Sequence, residues 1–201
     1  MLCMACMNDL PWLPDSHCTV CARPIPQPGI CGACLKKPPR FDDVQAAFAY
    51  AFPADALIQA YKYGGNLAIA RIAADALLRK ITPARCDLIV PAPLARKRLI
   101  ERGFNQALEI GRLVSHATGI PLRVDACRKV ADTPPQASLP WDARAKNLRG
   151  VFACDHSLNG KSVAVIDDVL TSGATLNELA RCLKCAGAAR VTGWIVARVA
   201  H

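Results

Sequence analysis

Apolar residues along this chain alternate between short uninterrupted runs and longer segments in which they recur every three or four positions. Residues 163–166 form one such run, which is short, largely β-branched and typical of a strand buried on both faces of a parallel sheet. A helix is predicted shortly after it, because apolar residues from Leu176 to Ala186 form one stripe and Gly187 is placed to end it. The chain is therefore predicted to fold around a strand–loop–helix unit.

Further strands and helices are predicted on both sides of this unit. The strand patterns fall at residues 44–52, 87–93, 122–130 and 191–199. The helix patterns fall at residues 54–63, 67–81 and 104–119. Strands that alternate with helices indicate an α/β fold, in which a parallel sheet is flanked by helices.

Two segments lack a regular apolar period. Residues 36–40, Lys-Lys-Pro-Pro-Arg, form a basic, proline-broken linker, so the predicted domains are residues 1–40 and residues 41–201. Residues 131–141 contain Thr-Pro-Pro-Gln and are long for a loop inside a compact domain, which predicts a mobile lid. The alternative is a surface loop without a role.

The loop between the central strand and its helix carries the clearest chemistry. Two acids, Asp167 and Asp168, follow the apolar run. The small residues that come next are Thr171, Ser172, Gly173, Ala174 and Thr175. Backbone amides of such a loop and the positive end of the following helix can hold a phosphate group. Acids at the carboxyl end of a strand can accept hydrogen bonds from sugar hydroxyls, so the unit predicts a site for a phosphorylated sugar. The alternative is an ordinary turn with an exposed acidic pair.

Three Cys-x-x-Cys pairs fall within the first 34 residues. Two such pairs can complete a tetrahedral site, which predicts a zinc ribbon with structural Zn²⁺. The predicted ligands are Cys18, Cys21, Cys31 and Cys34. Prolines between these two pairs favour a loop-rich module over a helix. No partner pair is evident for Cys3 and Cys6, and disulfides are the alternative use of all these thiols.

Charge and composition narrow the class of protein. The 201 residues include 25 Lys or Arg and 16 Asp or Glu, a formal charge of +9. This excess suits phosphate-rich ligands, including nucleic acid, although an inert basic surface is the alternative. No stretch approaches the roughly eighteen uncharged apolar residues that a membrane helix needs, so no membrane insertion is expected. Eleven cysteines without a recognisable export signal indicate a reducing compartment, which predicts a cytoplasmic protein.

Several motifs resemble known families. Residues 165–175, Val-Ile-Asp-Asp-Val-Leu-Thr-Ser-Gly-Ala-Thr, resemble the phosphoribosyl-pyrophosphate motif of type I phosphoribosyltransferases and depart from it only at Ser172. A second resemblance covers nearly the whole chain. It rests on the cysteine pairs and on the motifs Lys-Pro-Pro-Arg-Phe-Asp, Lys-Tyr-Gly, Pro-Ala-Pro-Leu, Arg-Gly-Phe-Asn-Gln and Thr-Pro-Pro-Gln. With these features the chain resembles the ComF family of competence proteins. This resemblance implies a zinc ribbon joined to a type I phosphoribosyltransferase-like domain, and a link to the handling of incoming DNA in natural transformation.

The resemblance also implies roles for individual residues. Asp167 and Asp168 would be the catalytic carboxylates that hold the ribose hydroxyls, and the small-residue loop would hold the 5-phosphate. Pro91, Ala92 and Arg102 would contact the pyrophosphate of phosphoribosyl pyrophosphate, which binds together with Mg²⁺. The implied reaction is a transfer of ribose 5-phosphate to a nitrogen base, as in the glycosyltransferases of nucleoside metabolism. The basic residues 96–98 would assist, or they form a solvated charge run.

Two functions stay open at this point. One is a phosphoribosyltransferase, and the other is a binding protein that holds a phosphoribosyl ligand or single-stranded DNA without turnover. Aromatic residues that could stack on bases are few, with three Trp, three Tyr and five Phe, which weakens the case for sequence-neutral strand binding. Competence proteins and a second copy of the chain, as a homodimer, are the further partners considered.

Overall fold

A four-stranded parallel sheet forms the centre of the computed structural model, which describes residues 3–130 and 150–200. Its strands are β1 (Asp43–Ala49), β2 (Leu88–Pro91), β5 (Ser162–Leu170) and β6 (Arg190–Arg198), in the order β1-β6-β5-β2. A separate antiparallel pair consists of β3 (Arg128–Lys129) and β4 (Phe152–Ala153). The two central strands, β5 and β6, are also the longest, and their apolar residues are buried on both faces of the sheet.

Helices flank this sheet. They are α1 (Met4–Asn8), α2 (Gly32–Lys36), α3 (Ala54–Gly64), α4 (Ala68–Leu78), α5 (Arg96–Arg102), α6 (Gln106–Thr118) and α7 (Ala174–Cys185). A parallel sheet flanked by helices was the predicted fold class, and it is confirmed. Within the described ranges, no helix combines the length and the apolar character that crossing a bilayer requires.

One contact explains how closely α7 packs on the sheet. Gly193 lies in β6, and a Cβ atom at that position would be 2.6 Å from Cδ2 of Leu176 in α7 and 3.3 Å from Cγ2 of Val44. Glycine therefore lets the helix that follows the acidic pair approach the central strand. This approach fixes the position of the loop between β5 and α7.

The boundaries of several elements differ from the predicted ones. The helix predicted at residues 104–119 begins at Gln106, because the side chain of Asn105 accepts hydrogen bonds from the N–H groups of Ala107 and Leu108 and caps the helix. The strand predicted at residues 44–52 ends at Ala49, where the chain turns towards α3. Of residues 122–130, only the two residues of β3 form a strand.

The N-terminal segment packs along the side of β1 that does not face β6. In this segment, residues 11–13 run antiparallel to β1, so that the Leu13 N–H donates to the Ala47 carbonyl at 2.9 Å and the Ala49 N–H donates to the Pro11 carbonyl at 2.8 Å. The segment thus continues the hydrogen bonding of the sheet outward. The division into residues 1–40 and 41–201 stays a prediction.

Candidate functional site at the carboxyl end of the sheet

The acidic pair lies near the carboxyl end of β5. The strand continues past Asp167 and Asp168 to Leu170, because its pairing with β6 extends that far, so the run predicted at residues 163–166 was too short. Neighbouring side chains of a strand point to opposite faces of the sheet, which gives the two carboxylates different surroundings. Asp168 is buried and Asp167 is half-buried.

Asp168 has a charged partner in Lys62, near the end of α3. Lys62 Nζ lies 3.1 Å from Asp168 Oδ2, and the two side chains are only 17% and 12% exposed. Asp168 also borders an apolar pocket whose lining includes Ile58, Tyr61 and Ile110. Because little water reaches this salt bridge, the attraction between its charges is stronger than at the surface. One of the two predicted catalytic carboxylates thus has an internal counter-ion.

Asp167 forms no ion pair within the part of the chain that the structure describes. Its Oδ1 accepts a hydrogen bond from the backbone N–H of Asp168 at 2.9 Å. Burial raises the pKa of Asp167 to about 7, and the negative charge of Asp168 adds to the rise, whereas Lys62 and Arg102 oppose it. A carboxyl group with this pKa gains and loses its proton near neutral pH, and carboxyl groups of this kind are concentrated at functional sites.

The loop after β5 enters α7 through Gly173, whose φ of +79° lies in the left-handed region. Ser172 Oγ accepts a hydrogen bond from the Ala174 N–H at 3.3 Å. The N–H groups of Thr171, Ser172 and Gly173 have no acceptor among residues 3–130 and 150–200. Unpaired amides next to a helix N-terminus attract anions, and Thr175 lies in the first turn of that helix. The five small residues therefore form a candidate phosphate site.

The turn after β2 lies directly beside the acidic pair. Pro91 is paired with Ile166 in the sheet, and the Ala92 N–H donates to the Ile166 carbonyl at 2.9 Å, so that both residues are next to Asp167. Asn105 holds this turn in place, since its Nδ2 donates to the Ala92 carbonyl at 3.1 Å. The asparagine of the Arg-Gly-Phe-Asn-Gln motif thus both caps α6 and ties it to the predicted pyrophosphate turn.

Arg102 ends α5, a helix that begins with the basic residues 96–98. Its Nη1 donates to Gln106 Oε1 at 3.1 Å, and its guanidinium lies 5.3 Å from the ring centroid of Tyr63. Arg102 Nε and Gln106 Nε2 are buried and have no acceptor among the described residues. Since a buried donor without an acceptor is costly, these two groups are suited to bind a ligand that brings acceptor atoms.

A second candidate site, for a metal ion, lies in the N-terminal module. It consists of Cys18, Cys21, Cys31 and Cys34. These residues are buried, and their sulfur atoms all lie within 4.8 Å of one another. A tetrahedral zinc ion with Zn–S bonds of about 2.3 Å would space its sulfurs about 3.8 Å apart. The sulfurs of Cys21 and Cys31 are 3.7 Å apart, so the geometry and the donor set fit zinc. Cys3 and Cys6 are exposed and lie outside this cluster.

The cluster also favours the thiolate form of one ligand. Burial opposes the ionisation of Cys18, but backbone hydrogen bonds, including one from the Cys31 N–H at 3.2 Å, lower the pKa of Cys18 to about 6. The thiolate is the form of cysteine that binds metal. Burial instead raises the pKa of the Cys21 and Cys34 thiols, so these two ligands would lose their protons when a metal ion binds.

Lys62 is the feature of the site that the sequence analysis missed. Its one signal was the Lys-Tyr-Gly motif, to which no role was assigned, and about a hundred residues separate Lys62 from its partner Asp168. The predicted lid at residues 131–141 lies outside the described residues. The structure brings the acidic pair, the small-residue loop and the β2 turn together, as expected for strands that end on one side of a parallel sheet.

The fold and these sites define an α/β protein with a candidate phosphate loop and a four-cysteine cluster. No family model matches the sequence. The chain is 31% identical to DNA utilization protein YhgH of Salmonella typhi, over 98% of this chain and 96% of that protein. It is 30% identical to Competence protein F of Haemophilus influenzae, over 98% of this chain and 90% of that protein. The chain therefore belongs to the ComF family of competence proteins.

Part of the fold is also similar to a solved structure, the purine phosphoribosyltransferase from Pyrococcus horikoshii. The sequence identity is 25% and the TM-score is 0.41, over 64% of this chain and 82% of that chain.

Proposed function

We propose that this protein binds phosphoribosyl pyrophosphate with Mg²⁺ at the carboxyl end of its sheet and transfers ribose 5-phosphate to a nitrogen base. One observation carries the proposal. An acidic pair, a loop of unpaired amides and a turn beside them lie together at the same end of two neighbouring strands. Each of these features matches one part of the ligand.

The small-residue loop and the N-terminus of α7 would bind the 5-phosphate, because unpaired N–H groups and the helix dipole favour an anion there. Asp167 and Asp168 would accept hydrogen bonds from the ribose hydroxyls, and their oxygens are the hard donors that could hold Mg²⁺. When bound, Mg²⁺ would offset the charge of the pyrophosphate. The turn at Pro91 and Ala92, with the free donor of Arg102, would contact the pyrophosphate oxygens.

In the proposed reaction, the bond between ribose C1 and the pyrophosphate oxygen breaks, a bond from C1 to the nitrogen of the base forms, and the proton of that nitrogen is released to solvent. The bonding electrons leave with pyrophosphate, so cations near that group stabilise the transition state. Lys62 would supply one such cation, because its ammonium group lies 3.1 Å from Asp168 Oδ2, beside the acidic pair. The other oxygen of Asp168 could accept from a ribose hydroxyl while this ion pair stays intact.

Titration calorimetry with phosphoribosyl pyrophosphate and Mg²⁺ tests the binding step. We expect Asp168→Asn to weaken binding by at least about tenfold, because it removes a charged hydrogen-bond acceptor. Asp75→Asn is the matched control, since Asp75 pairs with Arg71 on the surface of α4. A pyrophosphate-release screen over nucleobases tests the transfer step. Unchanged affinity in Asp168→Asn, or no binding by the wild type, would contradict the proposal.

A second candidate function is binding of single-stranded DNA without turnover. The ring of Tyr63 is exposed, with 68% of the residue's surface accessible, and it lies beside Arg102 at the end of the basic helix α5. An aromatic ring next to a guanidinium can stack on a base, and basic side chains can contact the backbone. The names of the relatives, competence protein and DNA utilization protein, point in the same direction. Binding of an oligonucleotide that weakens steeply with salt and with Tyr63→Ala would support this function.

A further inference from the structure

Arg198, the last residue of β6, is a buried arginine that is only 3% exposed. It forms no salt bridge with a carboxylate among the described residues, and it donates to backbone carbonyls instead. Its Nε donates to the Cys21 carbonyl at 2.8 Å. Its Nη1 donates to the carbonyls of Leu170 at 3.0 Å and Thr171 at 2.8 Å, and also to that of Val199. One guanidinium thus joins the four-cysteine cluster to the candidate phosphate loop.

The cluster can supply the negative charge that Arg198 otherwise lacks. Four thiolates around one divalent zinc ion carry a net charge of −2, and the cluster residue Cys21 is in direct contact with Arg198. A second guanidinium, that of Arg23, is close enough to act electrostatically on Arg198. Two neighbouring cations are costly to bury unless a negative group compensates them. A zinc-loaded cluster would compensate them, so the metal and Arg198 would stabilise each other.

The contacts of Arg198 also set the direction of the loop amides. In a trans peptide, the C=O of one residue and the N–H of the next point in opposite directions. Because the carbonyls of Leu170 and Thr171 point at Arg198, the N–H groups of Thr171 and Ser172 point away from it. These are two of the amides that have no acceptor within the described ranges. Arg198 therefore orients donors that a phosphate group would need.

We propose that Arg198 is a positioning residue that couples the four-cysteine cluster to the phosphate loop, so that zinc in the cluster strengthens phosphate binding at Thr171 to Gly173. The coupling is reciprocal, because a ligand that binds more tightly to the zinc-loaded protein also raises the affinity of the protein for zinc. The identity of the ligand rests on the proposed function. The link between the cluster and the loop does not.

Arg198→Lys in the full-length, zinc-loaded protein tests the coupling, since lysine keeps the charge but cannot span both partners. We expect about a tenfold loss of affinity for ribose 5-phosphate, in the range of measured coupling energies, and little change for inorganic pyrophosphate. A variant that only loosened the whole fold would weaken both ligands. Arg190→Lys is the matched control, because Arg190 begins the same strand and pairs with Asp43 at its far end.

Two readouts do not depend on the ligand. Hydrogen exchange should become faster at Val199 and Asn177, whose N–H groups donate to the carbonyls of Leu170 at 3.0 Å and Gly173 at 2.8 Å, both in Arg198→Lys and in the wild type after a chelator removes the metal. At equilibrium with a chromogenic chelator, Arg198→Lys should transfer more of its zinc than Arg190→Lys. If ribose 5-phosphate binds, it should reduce the fraction of zinc that the wild type transfers.

The outcomes separate the two proposals. If the wild type binds neither ribose 5-phosphate nor phosphoribosyl pyrophosphate, the proposed function fails, while exchange and zinc transfer still decide the coupling. If Arg198→Lys does not fold, the hydrogen-exchange rates of the wild type with and without zinc decide whether the cluster and the loop are coupled. The coupling is overturned if exchange at Val199 and Asn177 is the same with and without zinc, or if Arg198→Lys loses affinity for both probes equally.

Discussion

Replacing Lys62 by methionine would remove the counter-ion of Asp168 while keeping most of the apolar length of the side chain. At the observed N–O distance of 3.1 Å, Coulomb's law gives about 5 kcal/mol for an effective dielectric constant of about 20. The cost of taking both charges out of water offsets part of this attraction. We therefore expect Lys62→Met to lower the free energy of unfolding by about 3–5 kcal/mol, because it leaves the buried Asp168 carboxylate without a partner.

Urea denaturation of the wild type, Lys62→Met, Asp168→Asn and the double variant measures this pair. The losses of stability in the two single variants should not sum to the loss in the double variant. The double-mutant cycle should therefore give a coupling energy of at least about 1 kcal/mol between Lys62 and Asp168. The matched control is Arg123→Met. Arg123 lies 3.0 Å from Asp125, but the side chains are 46% and 59% exposed, so the loss should be below about 1 kcal/mol.

The functional arm uses the same variants. If Lys62 also contacts pyrophosphate, Lys62→Met should weaken the binding of phosphoribosyl pyrophosphate more than the binding of ribose 5-phosphate. A coupling energy no larger than that expected for the exposed pair would refute the claim that burial strengthens the Lys62–Asp168 interaction. Equal losses for both ligands would refute the role of Lys62 at the pyrophosphate.

Three further predictions concern other parts of the molecule. Asp167→Asn should be more stable than the wild type above pH 7, by up to about 4 kcal/mol, because the raised pKa of Asp167 means that the folded state loses stability as pH rises from about 4 to about 7. The affinity of the wild type for phosphoribosyl pyrophosphate should rise as the pH increases through 7, and the affinity of Asp167→Asn should lack this rise. Calorimetry at several pH values measures both affinities, and identical pH profiles would contradict the prediction. Gly193→Ala should cost about 1–3 kcal/mol in urea denaturation, since its Cβ would contact Leu176, whereas Gly64→Ala, with open space at its Cβ, should cost less than about 0.5 kcal/mol. Mass spectrometry should find about one zinc per chain in the wild type and in Cys6→Ser but none in Cys31→Ser, and equal metal content in the two variants would exclude the assigned cluster.

Local pattern was sufficient to predict the parts of the fold that depend on neighbouring residues. The buried strand β5, the stripe of α7 and the two cysteine pairs each form from residues close in sequence, so their spacing carried the information. The position of the candidate site could be predicted as well, because the carboxyl ends of parallel strands meet on one side of a sheet.

Contacts between distant residues could not be predicted in this way. Neither the pairing of Lys62 with Asp168 nor the bridge from Arg198 to Cys21 leaves a periodic signal, since each joins segments that come together only in the folded chain. The strand order β1-β6-β5-β2 could not be predicted either, because it also depends on which distant segments come together in the folded chain. Asn105 shows a related limit, because its motif indicated a ligand site while the side chain caps α6 and holds the β2 turn.

The hydrogen bonds from residues 11–13 to β1 have a practical consequence for work on isolated fragments. A fragment that started at residue 41 would keep all four parallel strands but would expose the outer edge of β1, with unpaired groups at Ala47 and Ala49. Open strand edges serve as templates for the strands of other molecules. The N-terminal segment thus covers this strand edge, and cutting it away is expected to yield aggregates instead of a smaller folded domain.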